Sequence, residues 1–128
     1  MSDLQSTGKI KEYPTGAVRD ASEGKGFPHM IPPSIMRRLS VHFERGAKKY
    51  AKYNWMAGIP LSHYNDSIHR HIWEWEEGST LEDNVAAIVW NAVCMGWTEE
   101  QIRAGKLPQE LDDLPYRKHP TLSSCFYP

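Results

Sequence analysis

Two neighbouring stretches carry the residue types that can hold a divalent cation. His71, Glu74 and Glu77 stand at steps of three on one, and Asp83, Asn84 and Asn91 follow on the next. Two carboxylates at i, i+3 on a helix suit a hard divalent cation with oxygen ligands, and Glu74-Trp75-Glu76-Glu77 supplies one such pair. Spacing of this kind is commonly just a charged face, because long acids normally stay solvated. The facing stretch adds weight to the chemical reading. Antiparallel pairing about Ser79-Thr80 sets Asp83 and Asn84 across from Glu74 and Trp75, and Asn91 across from Ser67 and Ile68. Asn84 and Asn91, seven apart, share one helix edge, where a buried amide left unpaired costs roughly 1–3 kcal/mol. The expectation is a polar cleft holding Mg²⁺ or Mn²⁺ among His71, Glu74, Glu77, Asp83 and Asn84, with neutral histidine favouring manganese.

Those residues need two helices folded back on each other, and the pattern over 63–97 predicts such a hairpin around a Gly78-Ser79-Thr80 turn. Tyr64, Ile68, Ile72 and Trp75 form the apolar face of its first helix; Ser67, His71 and Glu74 lie on the adjoining edge. Leu81, Val85, Ile88, Val89, Ala92 and Met95 form the face of the second. Thr80 is the expected N-cap, with Glu82 and Asp83 in the first turn where the helix dipole favours negative charge.

An earlier helix is expected after Pro32-Pro33, with Ile35, Leu39, Phe43, Ala47 and Tyr50 on one face. Arg38, His42, Arg45 and Lys49 gather at its edge, where a solvated cationic flank is the plain meaning. Gly46 costs about 1 kcal/mol inside a helix relative to alanine, so close packing or a break is expected there. The connection 52–60 is unusually aromatic, and Tyr53, Asn54 and Trp55 beside Lys49 suit the wall of a pocket. Thr98 is expected to cap one more short helix, Glu99 to Ala104, stopped by Gly105 and Pro108. The result is an all-α single domain over 1–128, with a loop-rich arm at 1–33, a helical core at 34–104 and a tail at 105–128. The arm is expected to be neither helix nor strand; within it, cations flank flexible backbone at Arg19 and at Gly24-Lys25-Gly26, suited to closing over an anion.

Composition narrows the setting. The chain has 128 residues and a formal net charge of −1, so nothing global points to nucleic acid or an anionic membrane as a partner. It has no apolar run of membrane-spanning length, and its first residues lack the zones of a signal peptide, so a soluble cytoplasmic protein is expected. Cys94 and Cys125 are too few and scattered for a metal knuckle or disulfide framework, and both are read as reduced. Five tryptophans stand out, and packing accounts for most of them.

Gly16-Ala17-Val18-Arg19-Asp20, Gly46-Ala47-Lys48-Lys49-Tyr50, Asn54-Trp55, Gly58 and Asp66-Ser67 through Arg70-His71 together resemble the phage family of dATP/dGTP diphosphohydrolase N-terminal domains. The likeness runs over roughly residues 16–78, and the whole is similar to MazG-like nucleoside triphosphate pyrophosphohydrolases. That resemblance implies a MazG-like helical bundle hydrolysing a (deoxy)nucleoside triphosphate, dGTP or GTP first, to the monophosphate and pyrophosphate. It implies two or three Mg²⁺ or Mn²⁺ ions per site, a role in phage nucleotide metabolism in the host cytoplasm, and homodimers pairing into tetramers.

MazG-like proteins carry Glu-x-x-Glu on one helix and Glu-x-x-Asp on the next. Here Glu74 and Glu77 make the first pair, but Glu82 and Asp83 are adjacent, and Ala86 and Ala87 stand where an aspartate is needed. His71 with Glu74 is the alternative first pair, nearer the apolar face. The expected metal ligands are therefore Glu74, Glu77, Asp83 and His71, with Glu74, His71 and Asn84 as catalytic groups. Lys49, Arg70, Lys25 and Arg19 are the candidates for phosphate charge; Tyr50, Asn54 and Trp55 are candidates for base or ribose contacts, and Asn91 for substrate binding. Two rivals stand beside this reading. One is a non-catalytic helical interaction module; the other is a hydrolase that releases the whole triphosphate.

Overall fold

A computed structural model describes residues 8–117 of the chain. They fall into two units that part after Met30.

In the first unit, strand β1 (Ile10–Glu12) pairs antiparallel with β2 (Val18–Asp20), setting Lys11 opposite Arg19. Gly16, at φ 87°, closes the turn by donating its N–H to Tyr13 O at 2.8 Å. This hairpin corrects the expectation of a strandless arm. Strands of three residues, all but one of them exposed, are too short for period-two alternation to show in a sequence.

In the second unit, α1 (Pro33–Lys49), α2 (Leu61–Glu76) and α3 (Asn84–Arg103) form an all-α bundle, with α2 and α3 antiparallel and α1 packed on α3. Pro33 opens α1 at its first helical position, where a missing N–H costs nothing. Gly46 neither breaks α1 nor is pressed by a neighbour: a Cβ there meets nothing within 4 Å. The start of α2 is capped from far along the chain, Asp113 accepting from Ser62 N at 2.9 Å and from Ser62 Oγ at 2.6 Å. Those bonds hold the Asp113 carboxyl below its usual range. At the other end, Gly78 at φ 78° lets Ser79 N reach back to Glu74 O, a left-handed stop to the helix.

The hairpin exists, but its turn is longer than the sequence reading had it. α3 begins at Asn84, and its cap is Asp83, which accepts from Ala86 N at 3.1 Å, not Thr80. Leu81, expected on the core face, is 95% exposed in the connection. Aspartate outranks threonine as a cap, so the later start wins. The helix also runs through Thr98 instead of restarting there. Thr98 is buried mid-helix, its hydroxyl donating to Cys94 O at 2.7 Å, which removes its tendency to break the helix.

The packed faces are rotated from those expected. On α2 Leu61 and Tyr64 are buried and Ser67, Ile68, His71 and Glu74 half buried, while Trp75, expected inward, is 61% exposed. On α3 the most buried line is Asn84, Ala87, Asn91, Cys94 and Thr98. This line is small and polar, and the larger aliphatics of α3 lie beside it only half buried. Small residues let the helices approach closely, and each polar one finds a backbone or side-chain partner. Leu61, Tyr64 and Cys94 form the core, with Phe43, Trp55, Trp90 and Ile102 among those packed around it. Trp55 stands edge-on to Trp97 at 5.1 Å and to Phe43 at 5.9 Å, whereas Trp73 and Trp75 stay about 60% exposed. No helix among the described residues is long and apolar enough to cross a membrane.

Candidate active site

The end of α1, the aromatic connection after it, and the inward faces of α2 and α3 enclose a cavity of about 1190 Å³. Lys49, Tyr50, Asn54, Trp55, Arg70, His71 and Asn91, seven of the residues singled out in the sequence, line it together. Lys49 Nζ sits 5.3 Å from the Tyr50 ring centroid, a cation-π distance. Asn91 is 5% exposed and donates through Nδ2 to Ala87 O at 2.8 Å, so its amide is fixed in orientation. Trp55 spends its ring on Phe43 and Trp97 and forms the wall itself. Tyr50 and Tyr53, 67% and 65% exposed, are the lining rings open to stacking. Tyr53 is held at φ 63°, the one described non-glycine residue with a positive φ. A bulky residue kept in that region is strain of the sort found at ligand sites. The sequence placed Tyr53 on the connection without giving it this role.

His71 joins the cavity to a cluster of acids. Its Nδ1 lies 3.6 Å from Glu74 Oε2 and 3.6 Å from Glu82 Oε2, and the three side chains offer ligand atoms within 4.8 Å of one another. Asn84, 4% exposed, fixes the ring: its Nδ2 donates to Ser79 O at 3.3 Å, and its Oδ1 accepts from His71 Nδ1 at 2.9 Å. The ring therefore presents its Nδ1–H to Asn84, leaving Nε2 as its second nitrogen. The imidazole is largely covered while both carboxylates stay open to solvent, at 17%, 43% and 56% side-chain exposure.

The acid that completes this cluster is Glu82; Asp83 and Glu77 lie elsewhere. Asp83 is gripped by Arg38, Nε to Oδ2 and Nη2 to Oδ1, both at 2.7 Å, while it caps α3. The Arg38 bond, and after it the α3 cap, pull its pKa down to about 2. Glu77 is exposed at the end of α2, outside the cluster. Arg19 on β2 and Lys25 in the turn after it belong to the first unit. The sequence signal for Glu82 was the capping strength of Asp83: once Asp83 starts the helix, its neighbour swings free of it and toward His71.

Two more groups shape the surroundings. Burial, with the nearby His71 adding to it, lowers the pKa of His42, which lies 5.4 Å from the Trp90 ring. Burial pushes the Cys94 thiol up to about 12, so it is packing and not a nucleophile.

A family model described as dATP/dGTP diphosphohydrolase, N-terminal, matches residues 15–107. The chain belongs to that family. The dATP/dGTP diphosphohydrolase N-terminal match extends past residue 78, through the whole of α3, and so includes Glu82, Asn84 and Asn91 with His71 and Glu74. Membership in this family supports hydrolase action on nucleotides in general. No curated protein and no solved structure matches the chain.

A family of this kind raises the question of a divalent metal, and the donor set answers in part. Glu74 and Glu82 fit: magnesium and manganese are commonly held by one or two carboxylates together with substrate phosphates. His71 does not offer Nδ1 to a metal while that nitrogen donates to Asn84.

Proposed function

We propose that this chain hydrolyses a (deoxy)nucleoside triphosphate, dGTP or GTP first, to the monophosphate and pyrophosphate, as a MazG-like phage enzyme of the host cytoplasm. The observation that carries the reading is His71, which lines the large cavity and also faces the carboxylates of Glu74 and Glu82. A nucleotide in the cavity would thus meet base-stacking rings, cations and a metal-binding pair of acids at once. Family membership supports the same chemistry.

Glu74 and Glu82 would hold Mg²⁺ or Mn²⁺. Such an ion supplies charge neutralisation at the phosphates and a bound water of lowered pKa. His71, oriented by Asn84, has Nε2 available to take a proton from the attacking water. Lys49 and Arg70 supply positive charge for the phosphate chain, Arg70 being steadied by Ser67 Oγ at 3.4 Å. Tyr50 and Tyr53 stack on the base, Asn54 and Asn91 meet base or ribose edges, and Trp55 keeps the wall in place. Trp73, Trp75 and Leu81, exposed at 59%, 61% and 95%, support a homo-oligomer, dimer or tetramer, in which those faces are covered.

The test is a panel of nucleotides incubated with Mn²⁺ or Mg²⁺ and resolved by product chromatography. Pyrophosphate and monophosphate from dGTP or GTP are expected. Release of whole triphosphate would replace this reading with the second enzymatic one, and no release from any nucleotide by the folded protein would leave a helical interaction module.

A further inference from the structure

A second, smaller cavity of about 290 Å³ lies between α1 and the start of α3, lined by Arg37, Arg38, His42, Arg45, Asp83 and Ala86. Arg38, His42, Arg45 and Lys49 follow one another at steps of four, three and four, so they form a single stripe down α1. The one acid lining this cavity is already spent: both Asp83 oxygens bond Arg38, and one also caps α3. Arg37 and Arg45 have no ion-pair partner among the described residues. Their charge is therefore uncompensated in a concave site.

The small cavity also adjoins the large one, because His42 and Arg45 line both. His42 is influenced by His71 and Glu82 of the acid cluster and by Arg45 and Asp83 of the small cavity, which places it at the junction. A chain of phosphates in the large cavity would reach the small one at His42 and Arg45, which line both. Guanidinium groups suit that end, since they bind phosphate oxygens through paired N–H donors and stay charged at any working pH.

Resting on the nucleotide reading above, we propose that this cavity is a phosphate subsite in which Arg37 and Arg45 bind the pyrophosphate end of the substrate. Lys49 and Arg70 then serve the phosphate nearest the nucleoside. Arg38 acts as a positioning residue, neutralising Asp83 so that no carboxylate repels the incoming anion.

The experiment is calorimetric titration of the full chain with inorganic pyrophosphate without divalent ions, repeated on Arg45→Ala, Arg37→Ala and Arg45→Lys. Alanine suits an exposed helix position, so the fold should hold, and far-ultraviolet circular dichroism checks it. Pyrophosphate binding should weaken about tenfold or more with each alanine, as expected for losing a charge-assisted hydrogen bond, and recover in part with lysine. Deoxyguanosine monophosphate binding should move far less. Equal pyrophosphate affinity in wild type and both alanine variants, or no pyrophosphate binding by the wild type, would overturn the subsite. Loss of binding in the variants alongside a wild type that hydrolyses no nucleotide would keep the subsite and reject the hydrolase.

Discussion

His71 Nδ1 donates to Asn84 Oδ1 across 2.9 Å, and this bond ties the acid-bearing end of α2 to the first residue of α3. Asn84 is nearly fully buried and its other amide atom is committed to Ser79 O, so the carboxamide has no freedom to turn. Asn84→Ala should strand the His71 N–H and the Ser79 carbonyl and destabilise the fold by roughly 1–3 kcal/mol. Because His71 also loses its orientation, turnover should fall by more than nucleotide affinity does. Urea unfolding and steady-state kinetics read the two effects; unchanged values for both would show that the bond orients nothing.

The Arg38–Asp83 pair gives the fold an acid limit. Asp83 titrates at about 2 in the folded chain against an ordinary value of 3.8, chiefly because of its bond to Arg38. Its depressed pKa stabilises the fold fully above about pH 4, and that share is lost as pH falls through 2. Solvent at the pair keeps the share modest. Asp83→Asn should therefore be less stable than wild type at pH 6 and close the gap by pH 2. A gap that stays constant over that range in denaturation curves would contradict the assignment.

Tyr53 pairs an unfavourable backbone with an exposed ring on the cavity wall. Tyr53→Asn should relieve the left-handed strain, since asparagine adopts that region readily, and raise stability by about 1 kcal/mol or less. The same change removes a stacking surface and should raise the half-saturation concentration for nucleotide. Lower stability with an unaltered half-saturation value would make Tyr53 an ordinary turn residue.

Much of this arrangement was legible in the sequence because helical spacing and cavity lining follow the same geometry. Lys49, Tyr50, Asn54, Trp55, Arg70, His71 and Asn91 converge because α1, the aromatic connection, α2 and α3 each contribute one face to a common hollow. What periodicity could not give was the rotation of the faces. Aliphatic periodicity put Trp75 inward on α2 and Leu81 inward on α3, whereas the buried line of α3 is small and polar and pairs with His71 through Asn84. The cap was the other gap: a helix capped by Thr80 starts three residues too early and takes in Glu82, which lies outside α3. Long-range partners such as Arg38 for Asp83 and Asp113 for Ser62 leave no local trace in the chain.

On the proposed function, Glu74 and Glu82, beside His71, hold the catalytic metal. Mn²⁺ binding and pyrophosphate release from dGTP should be measured together for wild type, Glu74→Gln, Glu82→Gln and Glu77→Gln. Each of the first two substitutions should abolish turnover and weaken Mn²⁺ binding at least about tenfold, for the loss of one charged ligand, while Glu77→Gln behaves as wild type. Full turnover in Glu82→Gln, with turnover lost instead in Glu77→Gln, would contradict the account.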